Sequence, residues 1–188
     1  MSRRRKQRRG KALSRNSIGA VLEPGTFRLE RLLPGPVERV WSYLIDPAKR
    51  RLWFADGPLD LRVGGALRLQ FRFTDLTPES LPQGQDAECT LIGTVTRCEP
   101  PRLLSYTWGS GANASHVTFE LIPRGAEVLL VVTHTDLADS QDMIRVASGW
   151  HAHLTILIEA LGGPKSAPFW EAKRLAEEAC REMLDAKM

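Results

Sequence analysis

A chain of 188 residues with 43% apolar content is long enough to close one hydrophobic core without disulfide staples. Its net charge of +4 is set at one end: residues 1–15 hold 8 of the 26 Lys and Arg and no acid, so the other 173 residues carry 18 basic against 22 acidic side chains. Bulk charge therefore gives no support to a nucleic-acid-binding body, and no run approaches the ~20 apolar residues of a membrane span.

Residues 1–25 read as a disordered basic tail, because like charges repel and little apolar surface is present to order them. A solvated tail is preferred to an organellar leader, and no apolar stretch of secretory-signal length follows it. Thr26 to Leu33 then alternates as a strand, with Phe27, Leu29 and Leu33 on one face, until Pro34-Gly35-Pro36 stops it. Val37, Val40, Trp41, Leu44 and Ile45 fall on one helical stripe. That helix must end at Asp46, because Pro47 disfavours helical geometry in the residue before it. Asp46 is placed to cap a second short helix, expected to run to about Phe54.

The middle of the chain is β. A strand is expected near Leu59–Arg62, and the Gly64-Gly65 turn leads into the alternation of Leu67, Leu69, Phe71 and Phe73 with Arg68, Gln70 and Arg72. Residues 75–86 form a polar loop, and further strands are expected at about 87–97, 102–109, 115–122 and 126–134. No alternation of strand with helix occurs here, so the sheet is expected to be antiparallel. Met143, Ala147, Trp150, Leu154, Leu157 and Leu161 then mark one face of a long helix ended by Gly162-Gly163-Pro164. A charged amphipathic helix follows at about 170–186, with Leu175, Ala179, Met183 and Leu184 on one side.

The expected class is α+β: a curved antiparallel sheet of about seven strands grips a long C-terminal helix, with two short helices between strands 1 and 2. That order is similar to the helix-grip fold of the START-like (SRPBCC) superfamily. Several residues resemble its activator of heat-shock-protein-90 ATPase homologues: Pro36-Val37-Glu38-Arg39-Val40-Trp41 with Asp46-Pro47, Leu52-Trp53, the Gly64-Gly65 turn, Glu99-Pro100-Pro101-Arg102-Leu103 before Tyr106-Thr107-Trp108, and Gly149-Trp150-His151-Ala152-His153-Leu154. The resemblance covers about 26–162, leaving 163–188 as an appended helix. It implies a hydrophobic cavity between sheet and long helix, and a superfamily of lipid and steroid carriers, polyketide cyclases and co-chaperone domains.

Catalytic and metal motifs are missing. His151 and His153 diverge around a helix, and no metal-ligand spacing unites His116, His134, His151 and His153, so neither a metal nor a cofactor is implied. No nucleophile elbow or phosphate-binding loop occurs. Cys89, Cys98 and Cys180 are odd in number and unpatterned, which fits a reducing, cytoplasmic compartment. The stronger signal is aromatic. Trp53, Phe71, Phe73, Trp108, Phe119 and Trp150 fall on expected inward faces, and His134 ends an apolar strand within reach of a cavity. These residues would line a hydrophobic pocket, or would simply fill a core at native density. The function expected is a non-enzymatic START-like domain that binds a hydrophobic small molecule, or serves as a co-chaperone-like module for a chaperone or other protein partner. The alternative is a polyketide cyclase/dehydratase-type enzyme using a cavity His or carboxylate. Nucleic acid or an anionic surface is left to residues 1–15 alone.

Overall fold

The computed structural model describes residues 19–165 and 167–185, so the expectations for residues 1–18 lie outside the described residues. Seven antiparallel strands form one sheet: β1 (Ala20–Glu23), β2 (Thr26–Pro34), β3 (Ala66–Arg72), β4 (Glu88–Glu99), β5 (Leu103–Trp108), β6 (Ser115–Arg124) and β7 (Glu127–Thr135). Their order across the sheet is β1-β2-β7-β6-β5-β4-β3. The helices are α1 (Val37–Ile45), α2 (Pro47–Arg50), α3 (Phe73–Leu76), α4 (Ser140–Ala160) and α5 (Phe169–Asp185). The α+β helix-grip architecture is as read from the sequence, with α1 and α2 between β2 and β3 and α4 laid on the concave side of the sheet.

The strand count of seven is reached by a different set of strands. Residues 20–23, placed in the basic tail by their sequence, form a hairpin with β2 in which Ala20 pairs with Arg28 and Glu23 with Thr26. The stretch at 59–62 gives only an isolated bridge from Leu59 to Leu67. Its chain must turn back at once, and Gly65 lies so close to this loop that a Cβ there would stand 2.2 Å from the Asp60 carbonyl oxygen.

Inward faces follow the period-two pattern. In β2, Phe27, Leu29, Arg31 and Leu33 alternate as buried positions, and β3 buries Leu67, Leu69 and Phe71. β3 ends at Arg72, one residue sooner than the alternation predicts, and Phe73 opens the single turn α3. Asp139 caps α4 by accepting the Asp142 N–H at 2.8 Å. The α4 stripe buries Met143, Ala147, Trp150, Leu154 and Leu157. α5 buries Phe169, Trp170, Ala172, Ala176 and Cys180, whereas Leu175, on the side marked apolar by the sequence, is 46% exposed. Two alanines on that face let α5 lie close along α4, where Ala152 joins the same small cluster.

α2 is short, stopping at Arg50 rather than running to Phe54, and the Arg50 side chain organises the segment between α2 and β3. Its guanidinium is 2% exposed and donates to the carbonyls of Ala55 (3.1 Å), Ile45 (3.2 Å) and Gly57. Carbonyls left free by the end of the helical segment are thereby satisfied, and the chain carrying Trp53 and Phe54 is folded beneath α4. Burial lowers the Arg50 pKa, with Asp56 and Asp46 among the charges opposing the shift. Replacing Arg50 by Met keeps most of the volume but strands those carbonyls. Urea unfolding of Arg50→Met is expected to show a loss of about 3 kcal/mol, and a change below about 1 kcal/mol would contradict the stapling role.

Candidate functional site

Between α4 and the β3–β5 half of the sheet lies a partly open cavity of about 440 Å3. α4 contributes Arg145, Val146, Gly149, Trp150 and His153, which share one helical face. α5 supplies Phe169, Trp170, Lys173 and Glu177; the sheet side supplies Phe71, Phe73, Cys89 and Trp108, with Phe54 and Gln85 from loops. The volume falls within the ~300–1,000 Å3 of small-molecule sites, and seven aromatic rings against a few polar groups is the composition such sites carry. A larger depression of about 800 Å3 lies on the outer face of β3–β5, but Gly93, Gly109, Ser110, Gly111 and Ala114 line much of it and no aromatic ring does. It offers little to hold a ligand.

Four of the aromatics singled out in the sequence, Phe71, Phe73, Trp108 and Trp150, line the cavity. Trp53 and Phe119 do not; they border a void of about 10 Å3, room for one water at most and none for a ligand. Their rings are consumed by packing: Trp53 stacks on Phe54 at 5.0 Å, and Phe119 meets the Trp150 ring edge-on at 5.3 Å.

His134 is also removed from the cavity, and its hydrogen bonds say why. The Trp150 indole N–H donates to His134 Nδ1 at 3.1 Å, so the ring proton sits on Nε2 and is given to Ser115 Oγ at 2.8 Å. Both nitrogens are engaged and the residue is 0% exposed. Burial, reinforced by the Arg145 charge, lowers its pKa to about 4. His134 is therefore a neutral bridge between sheet and helix. The two α4 histidines diverge as their spacing requires. His151 Nδ1 accepts from the buried Arg31 guanidinium at 2.9 Å, on the β2 side. His153 faces the cavity, donating from Nδ1 to the Trp53 carbonyl at 2.9 Å. Burial lowers the pKa of each to about 4.

Charges on the cavity wall are paired. Arg145 bonds Asp142 at 2.8 Å, and Lys173 bonds Glu177 one turn along α5. The β3–β4 loop fastens α5: Glu79 Oε2 accepts the Trp170 backbone N–H at 2.8 Å, a carboxylate where the helix dipole favours one. The Trp170 indole N–H, by contrast, is buried with no acceptor among the described residues. Among those residues no group of three or more His, Cys, Asp and Glu is placed to hold a metal ion, and no helix is long and apolar enough to cross a membrane.

Residues 34–162, from the end of β2 to the close of α4, match the family described as activator of Hsp90 ATPase homolog 1-like protein. The chain belongs to this family. Among solved structures it is similar to the protein encoded by gene BPP1335 of Bordetella parapertussis, with 45% identity over 87% of this chain and 88% of that one and a TM-score of 0.74. CalU16 of Micromonospora echinospora is 27% identical over 84% of this chain and 87% of its own, with a TM-score of 0.64. No curated protein matches the chain. The activator of Hsp90 ATPase homolog 1-like match includes the sheet face and α4 but stops before α5, so one wall of this cavity lies beyond the matched residues.

Residues missed by sequence reasoning are Phe54, Gln85, Cys89, the α4 residues Arg145, Val146, Gly149 and His153, and the whole contribution of α5. Phe54 sits where a helix was expected, and no periodicity announces that α5 folds back over the cavity rather than away from it.

Two measurements test this geometry. A glycine inside a helix costs roughly 0.5–1 kcal/mol relative to alanine, and a Cβ at Gly149 would meet nothing within 4 Å. Gly149→Ala should therefore raise stability by about that amount, whereas destabilisation would mean the space at Gly149 is not open. Acid should act in the opposite direction. An unfolded histidine takes up its proton below pH ~6.5, whereas folded His134, His151 and His153 stay neutral to about 4. Their contribution is full above pH ~6.5 and is lost as pH falls from there to 4, with two to three protons taken up on unfolding near pH 5, or roughly 3 kcal/mol per pH unit. A urea midpoint that is flat between pH 6.5 and 4.5 would show that the rings are not held neutral.

Proposed function

We propose that the chain is a non-enzymatic START-like binding domain that takes a hydrophobic small molecule into the cavity beneath α4. The observation that carries this reading is the aromatic wall left open in an otherwise closely packed interlayer space. Phe71, Phe73, Trp108 and Trp150 would make the contacts, and α5 would work as part of the domain by adding Phe169 and Trp170. Gly149 supports the same reading, since a helix position without a side chain widens the cavity at a local cost in stability.

The cyclase or dehydratase alternative asks for a base in the cavity. Of the groups there, His153 is a poor one near neutral pH because burial lowers its pKa to about 4, and Glu177 is engaged by Lys173. A co-chaperone-like role draws its support from the family name rather than from a described surface, which is an associational argument.

Intrinsic fluorescence gives a direct test, because Trp108, Trp150 and Trp170 all border the space to be filled. Titration with apolar probes of two to three fused rings should quench or shift tryptophan emission, saturate, and raise the melting temperature. Gly149→Leu, which extends a side chain into the cavity, should weaken that binding at least about tenfold while the protein remains folded. Saturable binding of equal strength in Gly149→Leu would place the ligand elsewhere, and no thermal shift across a lipid and polyketide panel would end the proposal.

A further inference from the structure

His153 sits inside an aromatic box. Phe54 and Phe169 meet its ring edge-on at 5.0 and 4.9 Å, with Phe71 and Phe73 at 6.0 and 6.5 Å. The side chain is 94% buried, being 6% exposed. Its one hydrogen bond, from Nδ1–H to the Trp53 carbonyl at 2.9 Å, settles the tautomer, because a carbonyl only accepts. Nε2 therefore carries a lone pair. No donor among the described residues meets it, and unlike the Trp170 indole nitrogen it is not sealed within protein: it opens on the cavity that His153 lines. An imidazole held by its far nitrogen, with its near nitrogen presented to an apolar space, is an acceptor in want of a donor.

The surroundings narrow the donor. Arg145 and Lys173 are already paired with Asp142 and Glu177, so the cavity makes no demand for a charged occupant. The walls are flat: Phe54 stacks with Trp150 at 5.0 Å and 24°, and Phe71 with Phe73 at 6.2 Å and 20°. Flat rings match flat rings, and aromatic pairs gain attraction beyond the area they bury.

We infer that His153 Nε2 selects the occupant of this cavity, which is a neutral planar aromatic molecule carrying a hydrogen-bond donor, of the phenol class. The inference rests on the reading of the cavity as a hydrophobic ligand site and sharpens it. His153 is here a binding residue, and its neutrality at physiological pH keeps the acceptor available.

Two probes that differ by the donor alone make the test. 2-Naphthol and 2-methoxynaphthalene are titrated into the full chain by calorimetry or tryptophan fluorescence. The ether is the more apolar, so area burial alone would favour it. The naphthol is expected to bind about tenfold tighter, the effect of one well-made hydrogen bond, and His153→Phe should remove that preference while retaining the ether. The wild-type comparison stands even if the variant fails to fold. In the wild type the 15N resonance of His153 Nε2 should also move with naphthol and not with the ether. Equal wild-type affinity for the two probes overturns the role of His153 but leaves the hydrophobic site intact. Failure of both to bind overturns the role and the site together.

Discussion

The hydrogen bond from the Trp150 indole to His134, continued to Ser115, is the constraint on which the site depends. It is a polar link across a largely apolar interface, so it has one satisfactory geometry and α4 cannot slide along the sheet without breaking it. With Trp150 pinned above β6 and β7, the β2 side of α4 is closed by Leu154, Leu157 and the Arg31–His151 contact. The opposite side is too wide for the helix alone. Rings from Phe54, Phe71, Phe73 and Trp108 bridge part of it, and the remainder is the cavity.

α5 then decides whether that space is a groove or a pocket. Its buried face is small in the middle, at Ala172 and Ala176, and large at the start, at Phe169 and Trp170. Small residues allow a close approach to α4, and that approach brings the two rings over the opening. Glu79 holds the same end from the opposite side, through the Trp170 backbone N–H. One carboxylate thus joins the β3–β4 loop, the first turn of α5 and the rim of the cavity.

The layers were legible in the sequence because they rest on periodicity, which burial enforces strongly. The alternation in β3 and the stripe of α4 each name their inward residues directly. The cavity was legible only in part. Periodicity says which face of an element turns inward, but not whether the space there is filled. Phe71 and Phe119 have the same inward signature; one meets the cavity and the other meets Trp150. His134 read as cavity-facing because it ends an apolar strand, but its ring is consumed by two hydrogen bonds whose partners are 16 and 19 residues away. The buried face of α5 was not legible for a related reason. Leu175 is the more apolar side chain, but close approach to another helix favours alanine, and that preference cannot be seen without the partner helix in place.

Three local departures from optimal packing and bonding fall on residues lining this one cavity. Gly149 gives up helix stability where a Cβ would have room. The Trp170 indole N–H is buried without an acceptor among the described residues. His153 presents an unbonded nitrogen to an aromatic box. Each could be removed by an ordinary substitution: alanine for Gly149, phenylalanine for the other two. Elsewhere the chain obeys the rules it breaks here, capping α4 with Asp139 and satisfying buried carbonyls with Arg50. Sequences that are locally consistent almost everywhere tend to break those rules where something other than folding is being served. The coincidence of all three around one cavity is better explained by an occupant than by imperfect packing, which would have no reason to collect at one place.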